Sequence, residues 1–226
     1  MKLRIAALVG LVLATATAQA YAAPVTVGIR IEGEEETIFE GTVRTDGHSI
    51  EQDASGPHPC DGTNAGTNPT PGPTLTSALD DTMAWDGRWS EGLQDFTINR
   101  IGTDATDLDA NQFWGYALNW KSAELGGCQQ QVRSGDEILF AYDFFSKTHL
   151  LRLTGPRRVT SGEPFSVRVT DGQTGDPVRG AFIFDKRTNK RGRVRVTLVN
   201  RGVLLAKAEK PDSVRSNTLP IRVTRR

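Results

Sequence analysis

The first half of the chain opens on an alternating pattern. In VTVGIRIEG (25–33), Val25, Val27, Ile29 and Ile31 recur at every second position, the period of a half-buried strand. Glu34, Glu35 and Glu36 form a turn, and TIFEGTVRT (37–45) supplies a partner, so a hairpin is expected. From His48 to Pro73 the period is lost and Gly and Pro are dense, which predicts a long irregular loop. In TLTSALDDTMAW (74–85) the spacing becomes helical. Leu75, Ala78, Leu79, Thr82 and Met83 share one face, Asp80 and Asp81 take the other, and Thr74 after Pro73 is placed as an N-cap. FTINRIGT, FWGYALNW and DEILFAYDFF then return to strand-like runs. The predicted order is β-β-α-β-β-β.

From residue 150 the runs shorten. HLLRLTG, FSVRVTD, GAFIFD, RVRVTLV, VLLAKAE and TLPIRVT alternate apolar and polar positions between TSGEP, DGQTGDP, TNKRG and NRG turns. That texture needs no helix and predicts a small all-β sandwich. The change near Thr148 to Leu151 is abrupt, so two units in contact are expected.

The N-terminus modifies this division. Lys2 and Arg4 head an apolar run, Ile5 to Ala18, followed by Ala20 and Ala22 in an A-x-A arrangement. Residues 1–22 therefore read as a secretory signal peptide, and a secreted, extracellular protein is expected. No later run is long and apolar enough for a transmembrane segment. The chain has a formal net charge of +0, but residues 1–150 carry 9 Lys+Arg against 21 Asp+Glu, and residues 151–226 carry 18 against 6. The halves are thus net −12 and +12, which points to units of different surface character. Cys60 and Cys128 are the two cysteines, and in an oxidising compartment they are expected to pair as a structural disulfide rather than hold a metal.

Several motifs, taken together, resemble a known family. They are TIFEGTVRTDGHSI, HPCDGTNAGTNPTPGPT, FWGYALNW, GGCQQQVRSGDEILFAYD and KAEKPDSVRSN. They look like secreted bacterial proteins whose first domain, here residues 24–149, is a domain of unknown function similar to the C-terminal domain of transcobalamin and intrinsic factor. Residues 150–226 resemble a bacterial immunoglobulin-like repeat. The resemblance implies an α+β, ubiquitin-like β-grasp fold followed by an Ig-like β-sandwich. In the animal cobalamin carriers the first module closes over a corrinoid together with a large helical domain. No helical domain stands in this sequence, so the resemblance carries the fold further than the ligand.

Candidate chemistry is sparse. FWGYALNW places Trp114, Tyr116, Leu118 and Trp120 on one strand face. Such a face either fills a core or stacks on a flat ligand, and a β-grasp sheet leaves its second face free. Asp104, Asp107, Asp109 and Asn111 crowd oxygen ligands into one stretch, a weak calcium candidate that lacks the Gly and distal Glu of an EF-hand loop. Lys190, Arg191, Arg193 and Arg195 form a basic patch, either for an anionic partner or for the acidic first half. Nucleic acid is not expected, since no aromatics interleave to stack bases. His48, His58 and His149 stand in no hydrolase motif. The reading is a non-enzymatic extracellular interaction or adhesion-type module with no cofactor, whose partner is an unknown extracellular molecule or a cell-wall polymer. The alternative is a carrier of a small corrinoid-like or other flat ligand on the aromatic face, with a hydrolase a distant third.

Overall fold

A computed structural model describes residues 23–225; the expected signal segment, 1–22, lies outside them. The described chain is predominantly β with one short α-helix. In chain order, the first half holds β1 (Val25–Glu32), β2 (Thr37–Thr45), β3 (His48–Ile50), β4 (His58–Cys60), α1 (Leu75–Asp80), β5 (Trp85–Ser90), β6 (Asp95–Ile101), β7 (Asp104–Ala105), β8 (Gly115–Leu118), β9 (Lys121–Ser122) and β10 (Glu137–Ala141). Its central sheet has the order β2-β1-β10-β8-β9, in which β1 and β10 run parallel and the other neighbours antiparallel.

Alternation decides what each face of this sheet meets. Val27, Ile29, Ile31, Ile138 and Phe140 point into a core shared with Leu75, Ala78 and Leu79 of α1 and with Trp85, Phe96 and Ile101 of the sheet β5-β6-β7. The helix starts where the sequence places its cap. Thr74 Oγ1 accepts from the Ser77 backbone N–H (3.1 Å), and Ser77 Oγ accepts from the Thr74 N–H (2.8 Å), a reciprocal capping box. It ends at Asp80, and Trp85 already belongs to β5. The segment expected to be irregular from His48 to Pro73 holds the short hairpin β3-β4, whose three-residue strands are too brief to show a period. Cys60 and Cys128 form the expected disulfide, across 68 residues of sequence.

The second half continues with β11 (His149–Thr154), β12 (Arg158–Thr160), β13 (Pro164–Asp171), β14 (Phe182–Ile183), β15 (Lys186–Arg187), β16 (Arg193–Thr197), β17 (Gly202–Ala206), β18 (Ala208–Glu209), β19 (Ser213–Val214) and β20 (Leu219–Thr224). Sheets β16-β13-β11-β19 and β12-β20-β17 share one core that includes Leu151, Leu153, Val167, Val169, Val194, Val196 and Ile221. The small sheet β15-β14-β18 adds Ile183 and Ala208 to it.

The second face of the central sheet is not free. Ala117, Leu139 and Ala141 pack with Phe144, Leu150 and Val214 in a third apolar cluster that joins the halves. Beside it, Glu32 is 2 % exposed and receives Arg30 Nη1 (3.0 Å), Lys207 Nζ (2.7 Å) and Arg215 Nε (2.9 Å). Arg215 also donates to the carbonyls of Gly33, Glu34 and Glu36, and Thr218 donates to Glu40. The halves are joined by a dry patch and a buried ion cluster.

Candidate ligand-binding groove

The expected aromatic face divides at its end. Asn119 and Trp120 both adopt positive φ (49° and 69°) between paired Leu118 and Lys121, the geometry of a two-residue hairpin turn. The turn breaks the alternation and carries Trp120 to the joint. There its ring lies 5.3 Å from Arg30 and 5.4 Å from Arg152, and its Nε1 donates to Glu137 (2.5 Å). Trp120 is therefore not on a common ligand face with Trp114 and Tyr116. The expectation of a free second sheet face fails with it, because the second half covers that face.

Trp114 and Tyr116 instead line a groove of about 650 Å³ on the side of the first half, between β6, β8 and the loops around them. Trp114 is nearly buried, with its Nε1 donating to the Asp104 carbonyl (3.0 Å) and its ring edge-on to Tyr142. Gly115 is small for a reason: a Cβ there would lie 2.7 Å from Cβ of Phe144, which also lines the groove. Around the mouth stand Leu93, Leu108, Leu125 and Phe145, which are 60, 77, 40 and 75 % exposed. Large apolar side chains scattered singly on a surface are ordinary, but four around one concavity are not.

The lining has one carboxyl group and no cationic side chain. Asp95 is buried and its Oδ1 accepts from the backbone N–H groups of Phe96 (2.8 Å) and Cys128 (3.0 Å). Burial pushes its carboxyl up from the ordinary value, against the pull of those hydrogen bonds. The neighbouring Tyr116 phenol is pushed up as well, by burial first and by the Asp95 charge second, so it stays protonated. The disulfide fixes Cys128, and through its N–H the groove floor is tied to the β3-β4 hairpin. Asp95 and the rim leucines are missed in the sequence, because they stand in loops and at a strand end, where no period marks them.

The second sizeable concavity, about 440 Å³, lies at the joint and includes Tyr142, Phe182 and Phe184. Its cationic side chains are already paired, Lys147 with Asp143, Lys210 with Asp212 and Arg215 with Glu32. The weak calcium candidate does not assemble. Asp104 accepts from the Glu34 N–H (2.9 Å), Asp107 accepts from the N–H groups of Asp109 and Ala110, and no metal-holding group of side chains occurs among the described residues.

His58 gains a neighbour the sequence did not indicate. Its Nε2 lies 2.8 Å from Ser55 Oγ, and its ring stacks 4.1 Å from that of Trp89. Asp53 bonds the serine hydroxyl itself. A relay needs the carboxylate on the other imidazole nitrogen, where it orients the base and stabilises its cation, so these three residues make a loop brace. His48 is also structural. Its hydrogen bond to Asp80 (3.1 Å), with the nearby Asp81 charge, outweighs burial and pushes it up to about 9.

Lys190, Arg191, Arg193 and Arg195 are all exposed and, among the described residues, form no ion pair with the first half. Lys207 and Arg215 perform that docking instead. No protein-family model matches the chain, and no curated protein matches its sequence.

Proposed function

We propose that this is an exported, non-enzymatic binding protein: a β-grasp domain over residues 24–149, similar to the C-terminal domain of the cobalamin carriers, fixed to an Ig-like sandwich over 150–226. The strand order β2-β1-β10-β8-β9, with a parallel central pair and a helix following the first hairpin, supports the first name. The two sheets around one core support the second. The N-terminal pattern of Lys2, Arg4, the apolar run and Ala20-x-Ala22 supports export, and the disulfide agrees with it.

The groove is the binding surface, and its ligand is a small, flat, largely apolar molecule. One observation carries this reading: Leu93, Leu108, Leu125 and Phe145 stay exposed around an aromatic-lined concavity while the rest of the unit packs its large apolar residues away. The test is titration with a flat apolar fluorophore such as 1-anilinonaphthalene-8-sulfonate, read by tryptophan quenching, in the wild type and in Leu108→Asp and Phe145→Asp. These exposed substitutions are expected to leave thermal unfolding unchanged and to weaken uptake at least tenfold. Unchanged uptake in both variants refutes the groove as the site.

A further inference from the structure

On the sheet β16-β13-β11 the alternation that buries Val194, Val196, Val167 and Val169 leaves a second set of side chains outward. Arg193 and Arg195 on β16, Ser166 and Arg168 on β13, and Arg152 and Thr154 on β11 are exposed. The register puts Arg193 directly opposite Arg168, Arg195 opposite Ser166, and Thr154 on the far side of Arg168. Like charges directly opposed across a strand pair are a local cost. Nothing among the described residues relieves it, for Arg168, Arg193 and Arg195 have no carboxylate partner, while Asp171 pairs with His149 and Asp212 with Lys210. The turn before β16 extends the run, with Asn189 Oδ1 accepting the N–H of Arg191 and of Arg193 and so holding Lys190 and Arg191 at the strand's start.

We infer that this face docks a linear phosphodiester polymer, such as the polyol phosphate of a cell envelope. Successive outward residues of a strand stand about 7 Å apart and opposed residues about 5 Å, so the arginines form a track for repeated charges on an extended chain. Guanidinium groups match phosphate oxygens in a two-pronged fork, and each contact places an anion between charges that otherwise repel. The strands themselves present no outward aromatic ring, and the one ring beside this face, Trp120, is already held between Arg30 and Arg152, so recognition falls on the backbone charges. The choice of an envelope polymer rests on the proposed export; the arginine face is independent of the groove.

The experiment uses the full mature chain and soluble poly(glycerol phosphate), with affinity followed by electrophoretic retardation as salt rises from about 50 to about 200 mM. Three phosphate contacts predict a fall of roughly tenfold or more over that range. The substitutions R168Q, R193Q and R195Q together are expected to lower affinity at least tenfold and to leave or raise the melting temperature, since a like-charged pair is removed. The control is R158Q with R222Q, a second opposed and exposed arginine pair on the other sheet, expected to change affinity less than twofold. Equal loss in both variants reduces the effect to net charge and overturns the proposal. So does an absence of binding at low salt, or equal affinity for single-stranded DNA or for anionic lipid vesicles. Groove variants are expected to bind the polymer normally, which separates this inference from the groove reading.

Discussion

At the scale of single residues, the chain spends its charges in unlike ways. Glu32 is the anion on which the joint closes, and removing it takes the carboxylate from Arg30 and Arg215 and leaves Lys207 with Glu40 alone. Glu32→Ala is expected to destabilise by about 3–5 kcal/mol in denaturant unfolding, the usual cost of breaking a buried ion cluster from one side. In sequence Glu32 is simply a polar position at the end of an alternating strand, because Arg215, its partner across the joint, arrives 183 residues later. His48 gives a pH signature. Its folded value, about 9, lies above the ordinary 6.5, so its stabilisation is complete below about 6.5 and lost as the pH rises through 9. On the acid side, hydrogen bonds from His48 and Trp85 overcome burial and hold Asp80 below its ordinary value, and that contribution disappears as the pH falls through the carboxylate range. His48→Gln is expected to flatten the alkaline limb in thermal melts collected from pH 6 to 10. Trp120 was recognisable as a large aromatic but not as a turn residue, since no rule of alternation foresees Asn-Trp with both φ positive.

Elements were legible where their patterns were long enough. The α1 helix announced itself through Leu75, Ala78 and Leu79 and through the Thr74 cap, and those residues are buried as the spacing requires. Thr74→Ala is expected to cost about 1 kcal/mol, with Thr74→Ser restoring it. The β3-β4 hairpin was not legible, because three-residue strands inside a Gly- and Pro-rich segment show neither period nor propensity. Besides its backbone pairing, a covalent tether holds that hairpin. Replacing Cys60 and Cys128 together with Ser is expected to lower stability by roughly 4 kcal/mol, the chain-entropy value for a loop of this length. It is also expected to weaken the groove, because the Cys128 N–H that holds Asp95 loses its tether. Gly115 reads in sequence as a gap in a strand and in space as the seat of Phe144; Gly115→Val is expected to displace that ring and to lower both stability and fluorophore uptake.

The whole molecule is two cores bound by a third. The opposed charges of the two halves do meet at the joint, but through Lys207 and Arg215 rather than the cluster at 190–195, because charge counting carries no direction. Glu40 shows how the joint answers to acid. Burial opposes its charge, yet hydrogen bonds from Thr218 and the nearby Lys207 hold its carboxyl below the ordinary range, so its contribution is present at neutral pH and lost as the pH falls. The wild type is expected to unfold in one calorimetric transition at pH 7, and Glu40→Gln with Lys207→Met to resolve it into two. The parallel pairing of β1 with β10, where Gly28 sits opposite Glu137, bears on how such a chain is made. The first strand to be synthesised waits for the last strand of its unit before its sheet can close, a contact distant in sequence and therefore slow to form. The β1-β2 hairpin can form early from neighbouring residues, but the central sheet is expected to be completed only once β10 has arrived, so its closure sets the pace of folding in this half.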